Sequence, residues 1–334
     1  MLHNPKITII TPSFNQGPYI EQTIDSVISQ NYPNLEYIIM DGGSTDGSVG
    51  IIKKYAKHLT YWASEPDNGQ SHAINKGLQR ATGDIVNWLN SDDYYEPDTL
   101  PKIAELFRDE NTNVVCGRSR IFTNDGSRDF FSDGTDVYPN NPAKTIGWAR
   151  IDQPETFFRR ETVGKMGLLN ENLHYVMDKE WWMRYLLHFG LDGIRRTDSV
   201  LVNFRLHGNS KTVSQKAGFD RETHGVFYSL VDICGLAKEK QILARMGEAV
   251  QVLETRHYQQ FDANLIRNAI HYYLLHKADE FYYTHQRAEA KYALQGIDEL
   301  LLIQADRQLL RKLKLRMNIP ARMVKFARAF MRQK

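Results

Sequence analysis

Short apolar runs alternate with amphipathic segments through the first third of the chain. Lys6 to Thr11 is a β-branched run of the kind a buried strand needs, and it breaks at Pro12-Ser13-Phe14-Asn15. A helical spacing follows from Tyr19 to about Gln30. Leu35 to Met40 predicts a second strand ending at Asp41, and the turn from Gly42 to Ser48 leads into a helix over Val49 to about His58. Thr60 to Ala63 predicts a short third strand, Glu65 to Gln70 a loop, and Ser71 to Ala81 a helix. The run Ile85 to Leu89 predicts a fourth strand that stops abruptly at Asn90-Ser91-Asp92-Asp93. Pro97-Asp98 opens another helix to about Arg108, and Val114 starts a fifth strand.

Strands and helices alternating at this pitch argue for βαβ units and a mostly parallel sheet flanked by helices. The polar segments after strands one to four then gather along one edge, where open α/β sheets bind ligands. Farther on, Ile121 to Pro142 has the mixed composition of a hairpin and loop. Glu155 to Val163 and Asp178 to Phe189 are expected as helices, and Val200 to Leu206 as a late strand. From about Phe219 the pattern is helical throughout, which divides the chain into an α/β domain over residues 1–217 and a helical region over 218–334.

The acidic turn carries the most pointed chemistry. Two adjacent carboxylates repel unless a cation or a proton intervenes, and hard oxygen ligands suit Mg²⁺ or Mn²⁺ shared with substrate phosphates. Taken alone, the same residues are also an ordinary polar turn. Neither Gly-x-Gly-x-x-Gly after the first strand nor Gly-x4-Gly-Lys-Ser/Thr occurs, which argues against a dinucleotide dehydrogenase and a P-loop enzyme.

Five motifs in order, Thr11-Pro12-Ser13-Phe14-Asn15, Asp41-Gly42-Gly43-Ser44-Thr45-Asp46, Asp67-Asn68-Gly69-Gln70, Asn90-Ser91-Asp92-Asp93 and Asp178-Lys179-Glu180-Trp181-Trp182, make residues 5 to 210 resemble an inverting family-2 glycosyltransferase of the GT-A fold. The resemblance implies transfer of a sugar from a nucleoside diphosphate, UDP or dTDP favoured, to a hydroxyl of a glycan or lipid-linked acceptor in polysaccharide or cell-envelope synthesis. By this likeness Thr11, Pro12, Ser13, Asn15, Asp41, Asp67, Gln70, Asn90, Ser91 and Asp93 serve the donor, with Asp41 bonding the base. Asp92 and His207 are the expected ligands of Mn²⁺ or Mg²⁺, Asp178 the general base, and Gln153, Glu155, Glu180, Trp181 and Trp182 the acceptor side. Two departures stand out: Asn90 opens a triad that often begins with Asp, and Gly42 replaces a second Asp.

Composition is that of an ordinary globular chain, with 42% apolar and 25% charged residues. Cys116 and Cys234 are too few for a disulfide framework or a zinc site. No apolar run approaches the roughly 20 residues of a membrane span, and the opening residues lack a signal-peptide pattern, so a cytoplasmic setting is expected. The net charge of +2 conceals an imbalance, because ten basic residues and one acid from Ala305 onward put +9 there and leave −7 elsewhere. Behind Pro320, Met323, Val324, Ala327, Phe330 and Met331 fall on one helical face flanked by basic residues. That pattern suits either an anionic membrane surface or packing on the protein. The helical third serves a homodimer interface equally well, and nucleic acid is not an expected partner.

Two rival classes fit part of this pattern. A sugar nucleotidyltransferase would want a basic, glycine-rich loop after the first strand, and Thr11 to Pro18 holds no Lys or Arg. A non-catalytic carbohydrate- or partner-binding module on the same fold would not need both Asp92 and Asp178.

Overall fold

The computed structural model describes residues 4–318 apart from Ala149, Asn209 and Gln259. In chain order the elements are β1 (Ile7–Ser13), α1 (Ile20–Ile28), β2 (Leu35–Asp41), α2 (Ser48–Tyr55), β3 (Tyr61–Ser64), α3 (Gln70–Arg80), β4 (Ile85–Trp88), β5 (Tyr94–Tyr95), α4 (Thr99–Leu106), β6 (Val114–Thr123) and β7 (Asp129–Phe131). They continue with α5 (Pro142–Trp148), β8 (Thr156–Arg159), α6 (Arg160–Met166), α7 (Met177–Phe189), β9 (Ile194–Leu206), α8 (Lys211–Ser214), α9 (Lys216–Ile233), α10 (Ala237–Met246), α11 (Ala263–Tyr283), α12 (Arg287–Gly296) and α13 (Gln304–Asn318).

The chain forms two compact units. The first comprises Met1–Val137 with Arg150–Thr223, the second Tyr138–Ala149 with His224–Lys334. The described strands all lie in the first unit and form one sheet in the order β3-β2-β1-β4-β8-β6-β9-β5, with β7 paired to β6. β3, β2, β1 and β4 are mutually parallel, as the βαβ pattern predicts. The sheet is more mixed than expected beyond β4, where β8 runs antiparallel to both β4 and β6.

β1 and β4 are buried along their whole length, which is why neither shows the polar–apolar alternation of a half-exposed strand. α1 buries Ile20, Thr23, Ile24 and Val27 at helical spacing. α3 lies so close to β1 that a Cβ on Gly77 would come within 2.5 Å of Ile10, so only glycine permits that approach.

One expected helix is corrected. The front of Glu155 to Val163 forms strand β8 before α6 begins, because Thr156-Phe157-Phe158 slots between β4 and β6 with every one of these side chains buried. A helix would have exposed part of that run.

In the second unit α11 is the central helix. Asp262 caps it by accepting from Asn264 N. Gly147 of α5 lies so close to Ala269 O of α11 that a Cβ would clash. Asn141 donates to the Tyr272 hydroxyl (2.9 Å), and Lys144 pairs with Asp306 (2.7 Å). The described part of the basic tail is folded onto this unit: Arg307 donates to Leu302 O, Arg311 pairs with Glu299, and Leu310 and Leu313 are buried. The expected amphipathic helix behind Pro320 lies outside the described residues. Among the described residues no helix is long and apolar enough to cross a membrane.

Candidate active site

Because β1 to β4 run parallel, their C-terminal ends emerge on one edge. The register sets Ser13 and Ser64 on either side of Asp41. Asp41 is buried, 3% exposed, and its carboxylate accepts from Ser13 Oγ (3.0 Å), Ser44 Oγ (2.6 Å), Ser64 Oγ (2.7 Å), Ser44 N (2.9 Å) and Gly43 N (3.1 Å). Those five donors occupy its roughly four lone-pair sites. Asp41 thereby ties three strand ends and the following turn together. Thr11 is likewise turned inward, its hydroxyl bonded to Tyr37 in the core (3.1 Å), so its side chain faces no donor.

Asn15, at a positive φ of 52°, accepts from Thr45 N (2.9 Å) while its own N–H donates to Ser44 Oγ (2.7 Å). These bonds join the first two loops of the edge. Pro12 and Ser13 are buried beneath them. Between them stands Phe14, 60% exposed, an aromatic face whose role the motif alone does not assign.

Asp67 explains the departure at Gly42. Its Oδ1 accepts from Gly69 N (2.8 Å), and a Cβ at Gly42 would lie 2.8 Å from its Oδ2. A second acid at position 42 would press one carboxylate on another. Gly42→Asp is accordingly expected to cost about 1–3 kcal/mol, the usual range for overpacking, and the double variant Gly42→Asp/Asp67→Gly to recover most of it. Thermal melts of the two proteins check this.

The acidic turn divides its labour. Asn90 Oδ1 accepts from Gln70 Nε2 (2.8 Å), while its Nδ2 faces Asp93 Oδ2 at 3.5 Å. Asp93 is buried, accepts from Arg205 N (2.9 Å), and takes a bond from Thr23 Oγ1 on its carbonyl (2.7 Å). Burial, and then the neighbouring Asp92 charge, raise its carboxyl well above the ordinary range. Ser91 is buried beneath the turn. Asp92 instead reaches the surface, with its Oδ2 2.9 Å from His207 Nε2, and the two side chains are 20% and 10% exposed.

Arg205 holds the turn from behind. Its Nε donates to Asp92 O (3.0 Å), its remaining donors go to Gln22 and Asn124, and its guanidinium lies over the rings of Tyr19, Tyr94 and Phe122. Arg205 is thus a buried brace of the turn.

One carboxylate oxygen and one imidazole nitrogen facing each other suit a cation that draws its other ligands from water and phosphate, as Mg²⁺ and Mn²⁺ do. Among the described residues no cluster of three His, Cys, Asp or Glu could form a closed cage.

Asp178 sits in the first turn of α7, half-buried, with its Oδ1 accepting from Lys179 N (2.7 Å). Burial raises its carboxyl to about 6, against the pull of that N–H and the Lys179 charge. Lys211 Nζ bridges His174 O (3.0 Å), just ahead of α7, and Gln70 Oε1 (3.2 Å) at the start of α3. Nothing in the local sequence marks Lys211; only the fold brings it there.

The expected acceptor residues are corrected, because the structure uses them in the core. Trp181 and Trp182 are 1% and 2% exposed; Trp181 packs on Trp88 and Phe158, and Trp182 on Tyr185. Glu180 is buried against Arg184 (2.8 Å), whose guanidinium also donates to Met166 O and Leu168 O. Gln153 donates to Asn87 Oδ1 and Trp88 O, and Glu155 accepts from Ser119 Oγ. Every residue of α7 from Glu180 to Leu186 is buried, and Trp181 packs against Trp88 and Phe158 of the sheet.

Comparison with known proteins gives the chain relatives in sequence and in fold. The chain is 38% identical over 128 residues to the putative teichuronic acid biosynthesis glycosyltransferase TuaG of Bacillus subtilis, a match covering 37% of this chain and 50% of TuaG. It is 27% identical over 223 residues to the uncharacterized glycosyltransferase RT0329 of Rickettsia typhi, covering 63% and 67%. The match thus spans half the length of TuaG and about two-thirds of RT0329. In fold, the chain superposes on S. aureus TarS 1-349 with a TM-score of 0.57 at 19% identity, over 93% of this chain and 87% of that one. The profile of Glycosyl transferase family 2 matches residues 8–186, from β1 into α7 and through the ends of β1 to β4. Since that match takes in more than half of the sequence, the chain belongs to glycosyl transferase family 2.

Proposed function

We propose that this glycosyltransferase moves a sugar from a nucleoside diphosphate, a pyrimidine nucleotide favoured, to a hydroxyl of a glycan or lipid-linked acceptor in cell-envelope polysaccharide synthesis. The observation that carries the proposal is Asp178. A half-buried carboxyl raised to about 6 is ionised at neutral pH yet basic enough to take a proton from an attacking hydroxyl. The relationship to TuaG supports the envelope setting, and structures of TarS with UDP and with UDP-GlcNAc support a uridine donor.

In this reading Phe14 offers the base a stacking face. Asn90 and Gln70, already paired, present amide groups to the sugar or ribose. The acceptor oxygen attacks the anomeric carbon opposite the leaving group, and its proton passes to Asp178. The bond from that carbon to the diphosphate oxygen breaks with its electron pair leaving on the nucleotide, so the configuration inverts. Asp92 and His207 would hold a divalent cation, which supplies charge neutralisation at the departing diphosphate.

The test is a thermal-shift screen of nucleoside diphosphates and nucleotide sugars with and without Mn²⁺. Stabilisation by one nucleotide only when metal is present is the expected result, since a ligand of the folded state raises its melting temperature. Failure of every nucleotide to stabilise the protein in metal would sink the proposal.

A further inference from the structure

α7 begins without a side-chain cap of its own. Val176 stands at the N-cap and makes no such bond, although the first N–H groups of any helix lack intrahelical partners. The segment that leads into it is instead held from far along the chain. Glu222 of α9 is buried, and its Oε1 accepts from His174 N (2.8 Å) while its Oε2 accepts from Tyr175 N (2.8 Å) and Val176 N (3.1 Å). Three consecutive N–H groups converge on one carboxylate immediately before the turn that carries Asp178. From the other side, Lys211 holds the carbonyl of the same His174 and reaches Gln70, whose amide bonds Asn90.

We propose that Glu222 is a positioning residue for Asp178, and that Lys211 ties the segment it holds to the donor edge. Both residues follow β9 and lie beyond residues 8–186, where the family profile matches. The inference rests on the proposed role of Asp178 as base. Charge-assisted bonds to a carboxylate are stronger than neutral ones, so three of them fix where α7 starts. The first turn of α7 in turn fixes where the Asp178 carboxyl stands. A local cap would hold the helix whatever the rest of the chain did. This long-range clamp on residues 174–176 makes the geometry of the base depend on the segment after β9 being in place.

Glu222→Gln keeps the shape but puts an NH₂ group against an N–H donor. We expect amide exchange at residues 174–176 to quicken at least about tenfold. The Asp178 carboxyl, followed by ¹³C NMR, should titrate below about 6 as water reaches it. Turnover of UDP-GlcNAc by hydrolysis should fall about 10- to 100-fold, the scale of a small misplacement, while affinity for Mn²⁺ and UDP is unchanged. Glu222→Asp should restore part of the loss, and Lys211→Met, which leaves the three N–H bonds in place, should shift the Asp178 titration less and in the same direction. Unchanged exchange at residues 174–176 with an unchanged Asp178 titration would overturn the proposal. So would UDP affinity falling in step with turnover, which marks a general loss of fold. The NMR and exchange readouts do not depend on the reaction, so full activity in Asp178→Asn would remove the base assignment while leaving them to judge Glu222.

Discussion

Asp178→Asn is expected to lower sugar transfer about 10²- to 10⁴-fold, the range general-base catalysis supplies, without lowering the melting temperature. The two halves of that result come from one environment. Burial holds the carboxyl near 6 when folded, against roughly 3.9 in an unfolded chain. A carboxyl whose folded pKa is raised takes up protons more readily in the folded state. Its contribution to stability is therefore full below about pH 4 and is lost as pH rises through about 6. At neutral pH the ionised Asp178 is a burden on the fold, of the order of 2–3 kcal/mol at most. An amide carries no such charge, so the variant should melt at the same temperature or a few degrees higher at pH 8. The wild-type pH profile follows from the same value: kcat/KM should drop tenfold per unit below about pH 6, and the residual activity of the variant should lack that limb. A variant that stayed fully active, or that merely unfolded, would remove Asp178 from the mechanism.

Much of the donor edge was legible in the sequence because buried parallel strands and the turns that end them leave local signals. β1, β2 and β4 are mostly apolar, β-branched or aromatic runs, and a polar cluster follows each of them directly. What the sequence could not supply was direction. Asp41 and Thr11 sit in the expected motifs, yet the sheet register surrounds one with serines and turns the other toward Tyr37. Trp181 and Trp182 look like sugar platforms in a string of letters; in α7 they face Phe158 and Tyr185. Thr156-Phe157-Phe158 lacked the alternation that separates strand from helix, because both of its faces are covered. Lys211 and Glu222 carry no motif at all. Their partners lie 37 to 141 residues away, a relation only the folded chain creates.

Asp92→Asn should produce the other large loss, about 10²- to 10³-fold in kcat/KM, the usual effect of removing one preorganised electrostatic contact. The variant tests a division within the turn that the geometry makes specific. Asp93 is buried and committed to Arg205 N, Asn90 is committed to Gln70, and Asp92 alone of the three turns a carboxylate toward His207 and the surface. If Asp92 is where the cation binds, its amide variant loses the metal-dependent part of nucleotide stabilisation, whereas Asp178→Asn keeps it in full. Transfer by Asp92→Asn should also need more Mn²⁺ to reach its reduced maximum. His207→Ala, which leaves the carboxylate in place, should weaken Mn²⁺ binding less. Asn90→Asp should not rescue Asp92→Asn, because a carboxylate at position 90 would face Asp93 and lose the amide proton now directed at it. Calorimetric titration of UDP with and without Mn²⁺ across wild type and these four variants separates these outcomes. Equal metal dependence in wild type and Asp92→Asn would place the cation elsewhere, and recovery on adding Asn90→Asp would return position 90 to the ligand set.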